Sequence, residues 1–230
     1  MMVEKVYGVG VGPGDRELLT LKALKVLKKV EKIFVPVSRE GKPSLAYEVV
    51  KDIVEGKSIE ELLFPMIRDK ERLKVYYQRA FERVKNTEGE VAVITLGDPT
   101  LYSTFSYLWK LLKENNIPVE IVNGIPSPVA CAGRLNIPLV EGGEKLVILP
   151  RGEDLEKYLE VFDTIVVMKT KRLGEILRRV LRGRSDNYLV GIVSKGFWED
   201  ENIQLGRIEE IDFEDVNHYL SLAIIKRIKR

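Results

Sequence analysis

The sequence predicts two α/β domains, the first built on a mainly parallel sheet and the second on a mixed sheet. Strand-like and helix-like segments alternate through the first half of the chain, which is typical of a parallel α/β domain. The densest cluster of helix and strand breakers, Gly124-Ile125-Pro126-Ser127-Pro128, interrupts this alternation. Near the end, strand-like segments follow one another through short links, which favours antiparallel pairing. We therefore predict domains at 1–123 and 124–230.

Apolar runs and helical spacing place the elements of the first domain. Strands are predicted at residues 3–11, 33–37, 91–96 and 119–122. The first helix carries four leucines on one side, with three further apolar residues beside them: Leu18, Leu21, Leu24 and Leu27, then Ala23, Val26 and Val30. Ser44 can cap a second helix that runs to about Glu55, and Asp69 can open a third. A fourth helix is predicted at about 104–114.

The second domain is predicted from shorter segments. Helices are expected at 127–135 and 173–181. Strands are expected at 145–149, 164–169, 188–193, 203–211 and 219–228. The last three strands are the ones that indicate antiparallel members in this sheet.

Composition excludes several classes of protein. The chain has 230 residues and a net charge of +2, from 37 basic and 35 acidic residues. This nearly neutral charge does not indicate nucleic acid as the main partner. No apolar run of about 18 residues is present, so we expect no membrane span. The first residues lack the basic-then-apolar order of a signal peptide. A single cysteine allows no intrachain disulfide, and we expect a reducing cytoplasm.

Metal centres and nucleophilic sites are poorly supported. His218 is the only histidine, so an imidazole-rich metal site or a serine–histidine pair with a spare base is not expected. Cys131 lies in the small-residue run Ala130-Cys131-Ala132-Gly133, which is typical of helix packing. We therefore expect no protein-bound metal. Chemistry that needs no strong acid, base or metal is favoured, and methyl transfer is one example.

Three apolar strands each run into a tight turn that precedes a helix. The turns are Gly8-Val9-Gly10-Val11-Gly12-Pro13-Gly14-Asp15, Thr95-Leu96-Gly97-Asp98-Pro99 and Asn123-Gly124-Ile125-Pro126-Ser127. Ligands of open α/β sheets bind outside the carboxyl ends of the strands, where glycine lets the backbone approach them closely. A small-molecule site is therefore predicted. It is not a dinucleotide site, because the third glycine of that fingerprint falls on Pro13 or Asp15, and no Walker-type sequence is present.

Taken in order, these turns resemble the three signatures of the tetrapyrrole methylase family. The first is followed by Leu18-Leu19-Thr20-Leu21-Lys22-Ala23, as in the family, and the order and gaps agree over nearly the whole chain. Four segments also resemble the branch that methylates C-20 of precorrin-2 or cobalt-factor II: 35–38, 64–66, 96–107 and 124–127. The sequence departs from the family at Asn123, which replaces a common proline, and at Val11, which replaces a small or hydroxyl residue.

The resemblance implies two α/β domains with S-adenosylmethionine (SAM) bound in a cleft between them, and a homodimer. Carried over position by position, the SAM-binding residues would be Pro13, Gly97, Asp98, Leu101, Ser103, Thr104, Pro126, Ser127, Met168, Gly196, Leu222 and Ala223. No catalytic residue is assigned. The substrate is a tetrapyrrole with several carboxylates, for which guanidinium and ammonium groups are suitable partners. The candidates near the predicted cleft are Arg39, Lys42 and Arg134.

Other functions remain open at this stage. Within the family, the alternatives are another corrin-ring methylase, the diphthine-forming enzyme that modifies a protein histidine, and a ribosomal-RNA ribose methylase. The near-neutral charge argues against the RNA enzyme. A non-catalytic protein that only binds SAM or a tetrapyrrole is the alternative of a different class. Some single residues also have alternative roles: a solvated surface role for Arg39, Lys42 and Arg134, a capping role for Asp98 and a core role for Met168.

Overall fold

The computed structural model describes residues 3–169, 173–183, 185–213 and 220–228. The chain divides into two compact units, Met1–Pro126 and Ser127–Arg230. This division lies inside the breaker cluster at 124–128, just after the boundary predicted between 123 and 124.

Unit 1 is a five-stranded sheet with helices between its strands. The strands are β1 (Val3–Gly10), β2 (Lys32–Val37), β3 (Ser58–Leu63), β4 (Gly89–Thr95) and β5 (Val119–Val122). The helices are α1 (Leu21–Lys29), α2 (Leu45–Val50), α3 (Lys70–Lys85) and α4 (Phe105–Glu114). The strand order is β3-β2-β4-β1-β5, and every neighbouring pair is parallel. All five carboxyl ends therefore lie at one edge, where β1 stands between β4 and β5.

Both faces of this sheet are covered, as expected for a buried parallel sheet. Phe81 of α3 and Leu108 of α4 pack in one core with Val91 and Val93 of β4. The alternating residues of β4, Ala92 and Ile94, are also buried, and they face the side on which α2 contacts the strand. The apolar runs of the sequence are continuous because both faces of the strands are buried.

Polar side chains fix where the helices begin. Asp69 Oδ1 accepts hydrogen bonds from the Glu71 and Arg72 amides at 3.0 and 3.1 Å, which confirms the predicted start of α3. Ser44 caps α2 as predicted, although that helix ends at Val50 and the residues up to Glu55 form turns. Thr20 caps α1 by accepting from the Ala23 amide at 3.1 Å.

Two other predictions for unit 1 were wrong. The leucine stripe does not form the buried side of α1, because the helix begins at Leu21, which is 76% exposed. Of the predicted apolar residues, those buried within α1 are Ala23, Val26 and Leu27. Strand β3 was missed. It is an edge strand that pairs with β2, and the adjacent Glu60 and Glu61 at its centre interrupt the apolar pattern.

Unit 2 is built on a mixed five-stranded sheet. Its strands are β6 (Leu146–Leu149), β7 (Thr164–Val167), β8 (Tyr188–Ser194), β9 (Asn202–Gly206) and β10 (Ser221–Arg227), and its helices are α5 (Ser127–Arg134) and α6 (Leu173–Val180). The order is β6-β7-β10-β8-β9; β6 and β7 are parallel, whereas the other pairs are antiparallel. This confirms the predicted mixed sheet. The predicted strand at 203–211 ends at Gly206, and a short 3-10 turn, Ile208–Glu210, follows it.

The sheet of unit 2 separates two apolar cores. Leu173 and Leu177 of α6 pack on one face with Ile165 and Val190. Cys131, Ala132 and Leu135 pack on the other face with Val166 and Val193. Burial raises the pKa of the Cys131 thiol to about 12, in keeping with the packing role predicted for it. His218 lies outside the described residues.

Two further findings concern membrane spans and metal sites in the part of the chain that the structure describes. Within the described ranges, the longest apolar helices fall short of what is needed to cross a membrane. Over the same residues, no three His, Cys, Asp or Glu side chains are grouped so that they could hold a metal ion.

Glu120 of β5 connects two neighbouring elements through ion pairs. Its carboxylate lies 2.5 Å from Lys22 Nζ of α1 and 2.7 Å from Lys5 Nζ of β1. The hydrogen bonds from Lys22 and Lys5 lower the pKa of Glu120 to about 2, against about 4.3 for an unperturbed glutamate. Because the group is more acidic in the folded chain, its contribution to stability is present above the unfolded pKa and disappears as the pH falls toward 2.

Replacing Glu120 tests this linkage. Glu120→Gln should lower the free energy of unfolding at pH 7, and the difference from the unaltered chain should shrink as the pH falls below about 5. Urea unfolding at a series of pH values measures it. Glu71→Gln, which removes an exposed pair with Lys74, is the control and should have little effect at any pH. A difference for Glu120→Gln that stays constant from pH 7 to pH 3 would contradict the assignment.

Candidate functional site

The three predicted turns follow three adjacent strands of unit 1. The first turn follows β1, the second follows β4 and the third follows β5, and the strand order places β1 between the other two. Ligands of open parallel sheets bind at this edge. The structure therefore brings together the segments that the sequence only shows as separate motifs.

Backbone hydrogen bonds join the first turn to the second. The Gly12 amide donates to the Gly97 carbonyl oxygen at 3.2 Å, and the Gly97 amide donates to the Gly12 carbonyl oxygen at 2.7 Å. One step earlier, the Val11 amide donates to the Thr95 carbonyl oxygen at 3.0 Å. Beyond the parallel strands β1 and β4, the two turns are thus joined by an antiparallel bridge between Gly12 and Gly97.

Glycine is required where the turns meet. A Cβ atom on Gly10 would lie 2.6 Å from both the Gly124 nitrogen and the Gly97 oxygen, and one on Gly124 would lie 2.2 Å from the Gly97 oxygen. Gly97 differs, because its φ of 72° favours glycine while the space beside its Cα is open to 4 Å. The turns are packed against each other on the inner side, and Gly97 leaves room for a ligand to approach the backbone.

Asp98 ties the second turn to the third. Its Oδ1 accepts hydrogen bonds from the Thr100 amide and hydroxyl, at 2.7 and 2.5 Å. Its Oδ2 accepts from Asn123 Nδ2 and from the Gly124 amide, at 3.0 and 3.1 Å. Burial alone would raise the pKa of Asp98, but the hydrogen bonds from Thr100, Asn123 and Gly124 outweigh it and hold this pKa below its ordinary value. The carboxylate is therefore ionised and engaged within the protein.

The other predicted residues of unit 1 surround these turns. Ser103 is buried, and its hydroxyl shares a hydrogen bond of 2.9 Å with Thr95 while it accepts from the Phe105 amide at 3.2 Å. Thr104 is exposed at the start of α4. Pro13 is buried, and Leu101 and Pro126 are half-buried. All of these residues follow carboxyl ends of β1, β4 or β5.

In unit 2 the predicted residues gather at one edge of the mixed sheet. Met168 follows β7, Gly196 follows β8, and Leu222 and Ala223 lie near the start of the antiparallel β10. Met168 is half-buried against the core that includes Cys131. The side chains of Leu222 and Ala223 are buried in the two opposite cores. The remaining predicted residue, Ser127, is half-buried and is the first residue of α5, so it does not belong to a strand of this sheet.

The candidate substrate-binding cations have different surroundings. Arg39 and Lys42 are exposed and share a turn after β2, in which the Lys42 amide donates to the Arg39 carbonyl oxygen at 3.2 Å. Arg134 of unit 2 is engaged by Glu201: its Nε and Nη2 lie 2.9 and 2.5 Å from Glu201 Oε1. A substrate carboxylate would have to displace Glu201 to bind Arg134, so the structure favours Arg39 and Lys42.

Three residues of this network were missing from the predicted site: Thr20, Thr100 and Asn123. Besides capping α1, Thr20 donates its hydroxyl to the Asn123 carbonyl oxygen at 3.3 Å. Thr100 can be found from sequence, since Asp-x-Thr is the spacing at which an aspartate accepts from the amide two residues later. Asn123 was noted only as a departure from the family signature. Its contact with Asp98 spans 25 residues and needs the strand order to be found.

The sequence profile of the tetrapyrrole (corrin/porphyrin) methylases matches residues 5–212. This match includes all three turns, and the eight strands from β2 to β9 lie entirely within it. The chain belongs to the tetrapyrrole methylases. Its family membership agrees with the resemblance of the three turns to the family signatures.

Individual relatives agree with this assignment. The methylase is 65% identical over 229 residues to the probable cobalt-precorrin-2 C(20)-methyltransferase of Methanocaldococcus jannaschii, covering 100% of this chain and 99% of the relative. It is 32% identical over 175 residues to the cobalt-precorrin-2 C(20)-methyltransferase of Salmonella typhimurium, covering 72% of each. It is 30% identical over 201 residues to the precorrin-2 C(20)-methyltransferase of a Sinorhizobium species, covering 80% of this chain and 81% of the relative.

Solved structures share the fold of the methylase. The uroporphyrin-III C-methyltransferase of Thermus thermophilus superposes with a TM-score of 0.69 at 24% identity, covering 97% of this chain and 92% of the other. The same enzyme complexed with S-adenyl homocysteine gives a TM-score of 0.66 at 23% identity, covering 96% and 97%. These likenesses confirm the predicted fold of two α/β domains.

Gly10→Ala tests the close packing of the turns. The new methyl group has no space against Gly97 and Gly124, so the backbone must shift, and we expect a loss of about 1–3 kcal/mol in the free energy of unfolding. Gly133→Ala is the matched control, because nothing lies within 4 Å of its Cβ position on α5. It should be neutral or stabilising by up to about 1 kcal/mol. Equal stabilities of the two variants in urea would show that the turns are not packed as described.

Proposed function

We propose that this methylase transfers the methyl group of SAM to C-20 of cobalt-precorrin-2, in the biosynthesis of cobalamin. The metal-free precorrin-2 is the second candidate substrate. The names of the relatives support the position of methylation: all three name C-20. The cobalt form is favoured because the relative that is 65% identical is named for it, whereas the one named for precorrin-2 is 30% identical.

The meeting of three glycine turns at adjacent strand ends is the observation that carries the proposed SAM site. The space beside Gly97 allows a ligand to reach the backbone. Gly10 and Gly124 are packed against neighbouring backbone atoms and hold the three turns together behind this space. SAM would lie along Pro13, Gly97, Leu101 and Thr104. In unit 2 the proposed contacts are Ser127, Met168 and Gly196, with the backbone near Leu222.

The chemistry asks little of acid or base groups. SAM supplies a methyl group on a sulfonium, which is already a good leaving group, and an enamine-like carbon of the macrocycle supplies the electron pair. The protein contributes alignment of the two, which can account for about 7–11 kcal/mol of a barrier when the geometry is right. Asp98, held ionised by neutral donors, keeps two of the turns in register, and we do not assign it a proton transfer.

We place the substrate carboxylates beside the turn after β2. Because β2 pairs with β4, this turn lies one strand away from the second turn at the same edge of the sheet. Its two exposed cations, Arg39 and Lys42, are suited to bind carboxylates at the rim of a tetrapyrrole. Ser103 acts here by holding the start of α4 through Thr95 and Phe105.

The assembly and location of the enzyme are also part of the proposal. We propose a homodimer in the cytoplasm, on the strength of the family resemblance and the single cysteine. Another corrin-ring methylase remains the alternative activity. Its product would carry the new methyl group at a different ring carbon.

Product analysis tests the activity. Incubation with SAM labelled with 13C in its methyl group should add one labelled methyl to cobalt-precorrin-2, and NMR should place it at C-20. Precorrin-2 is supplied in parallel, and the faster reaction identifies the natural form. A labelled methyl on any other carbon would overturn the C-20 assignment, and no transfer to either compound would overturn the substrate class.

Arg39→Ala tests the substrate side of the site. Loss of a hydrogen bond to a carboxylate should weaken tetrapyrrole binding by about 1–3 kcal/mol and leave SAM affinity nearly unchanged. Titrations with the tetrapyrrole and with SAM measure the two effects separately. Arg79→Ala, an exposed arginine on α3, is the control and should change neither. Weakened SAM binding with an unchanged tetrapyrrole titration would place the substrate elsewhere.

A further inference from the structure

Asn123 contacts both the second turn and the start of the helix that follows the first turn. Its side-chain amide donates to Asp98 Oδ2 at 3.0 Å, which reaches the second turn. Its backbone carbonyl oxygen accepts from the Thr20 hydroxyl at 3.3 Å, which reaches the start of the helix after the first turn. It is the first residue after β5 and therefore begins the third turn.

The two contacts differ in what a substitution removes. The contact with Thr20 uses the backbone of Asn123, so it survives any change of side chain. The contact with Asp98 uses Nδ2 and is lost with the amide. After such a loss, the third turn would retain one hydrogen bond to Asp98, from the Gly124 amide at 3.1 Å.

The surroundings of Asp98 make this loss consequential. Asp98 is buried, with 6% of its surface exposed. Burial raises its pKa, and among the described residues the neutral donors of Thr100, Asn123 and Gly124 lower it. No cation compensates the carboxylate among these groups. A buried charge held by a few neutral donors depends strongly on each of them.

We propose that Asn123 is a positioning residue of the methylase, which sets the third turn against the second for SAM binding by donating its amide to Asp98. This rests on the proposed SAM site. Asn123 itself is exposed and need not touch SAM; it acts by fixing the Asp98 carboxylate and the Gly124 backbone. The general fold does not depend on it, because the backbone contacts among Gly10, Gly12, Gly97 and Gly124 remain.

S-adenosylhomocysteine is the probe, and calorimetric titration of the full chain is the measurement. Asn123→Ala should weaken binding about tenfold, the size expected when one hydrogen bond to a charged group is lost. The temperature of unfolding should stay close to that of the unaltered chain. Asn86→Ala, at the end of α3 on the opposite edge of the sheet, is the matched control and should bind normally.

A second variant gives a pH dependence of binding that a purely structural role of Asn123 would not produce. Asn123→Asp places a carboxylate beside that of Asp98, and two such groups cannot both ionise without repulsion. Binding of S-adenosylhomocysteine by this variant should be weak at pH 8 and should recover as the pH falls toward 5, where the pair shares a proton. The unaltered chain should show no such recovery, because its Asp98 is already ionised and fully bonded. Asn86→Asp should follow the unaltered chain.

Each outcome decides the proposal. Unchanged affinity in Asn123→Ala, or a pH profile of Asn123→Asp that matches the unaltered chain, would overturn it. Failure of Asn123→Ala to fold would also overturn it, since the residue would then hold the fold rather than place a turn. If the unaltered chain does not bind S-adenosylhomocysteine, the proposed SAM site fails instead, and the two failures are thereby distinguished.

Discussion

The close approach of three backbone turns is the constraint on which unit 1 depends. Gly10, Gly97 and Gly124 stand so near one another that a single added Cβ at Gly10 or Gly124 would lie 2.6 Å or less from a neighbouring backbone atom. This contact is possible only if β1 lies between β4 and β5 and all three strands run in the same direction. It also brings Asp98 within hydrogen-bond distance of the third turn, and the hydrogen bonds from Asn123 and Gly124 help to hold the pKa of this buried carboxylate below its ordinary value.

The strand order divides the carboxyl edge of the sheet into two chemically different parts. Along β4, β1 and β5 the edge consists of glycine turns whose polar groups bond to each other. Along β2 the edge carries the exposed cations Arg39 and Lys42. A methyl donor such as SAM needs close contact with the backbone, whereas an acceptor with several carboxylates needs cations. Neighbouring strands of one sheet can thus provide the binding groups for both.

Most of the fold was predicted from the sequence, and the three turns that it singled out meet at one edge of the sheet. The errors in the predicted fold share a physical origin. Strands buried on both faces form apolar runs, so β1, β2 and β4 were found. Strand β3 is an edge strand whose Glu60 pairs with Lys32 and Arg83, and these charges mask it. Likewise Leu21 fits the helical period, but Thr20 starts the helix there and leaves it exposed. The contact of Asp98 with SAM stays a prediction. Its hydrogen bond with Asn123 could not be predicted, because that contact depends on which strands are neighbours.

The use of Asp98 within the protein is consistent with the chemistry of methyl transfer. A reaction whose leaving group is already activated gains most from holding donor and acceptor in alignment, and a displacement of about 1 Å can cost about a hundredfold in rate. Backbone contacts such as those between Gly12 and Gly97 have no rotatable side chain and therefore restrict motion more than side-chain contacts do. An ionised carboxylate that bonds four donors from two turns adds to this rigidity. The buried carboxylate of Asp98 thus serves to fix geometry, which is the contribution that methyl transfer requires from the protein.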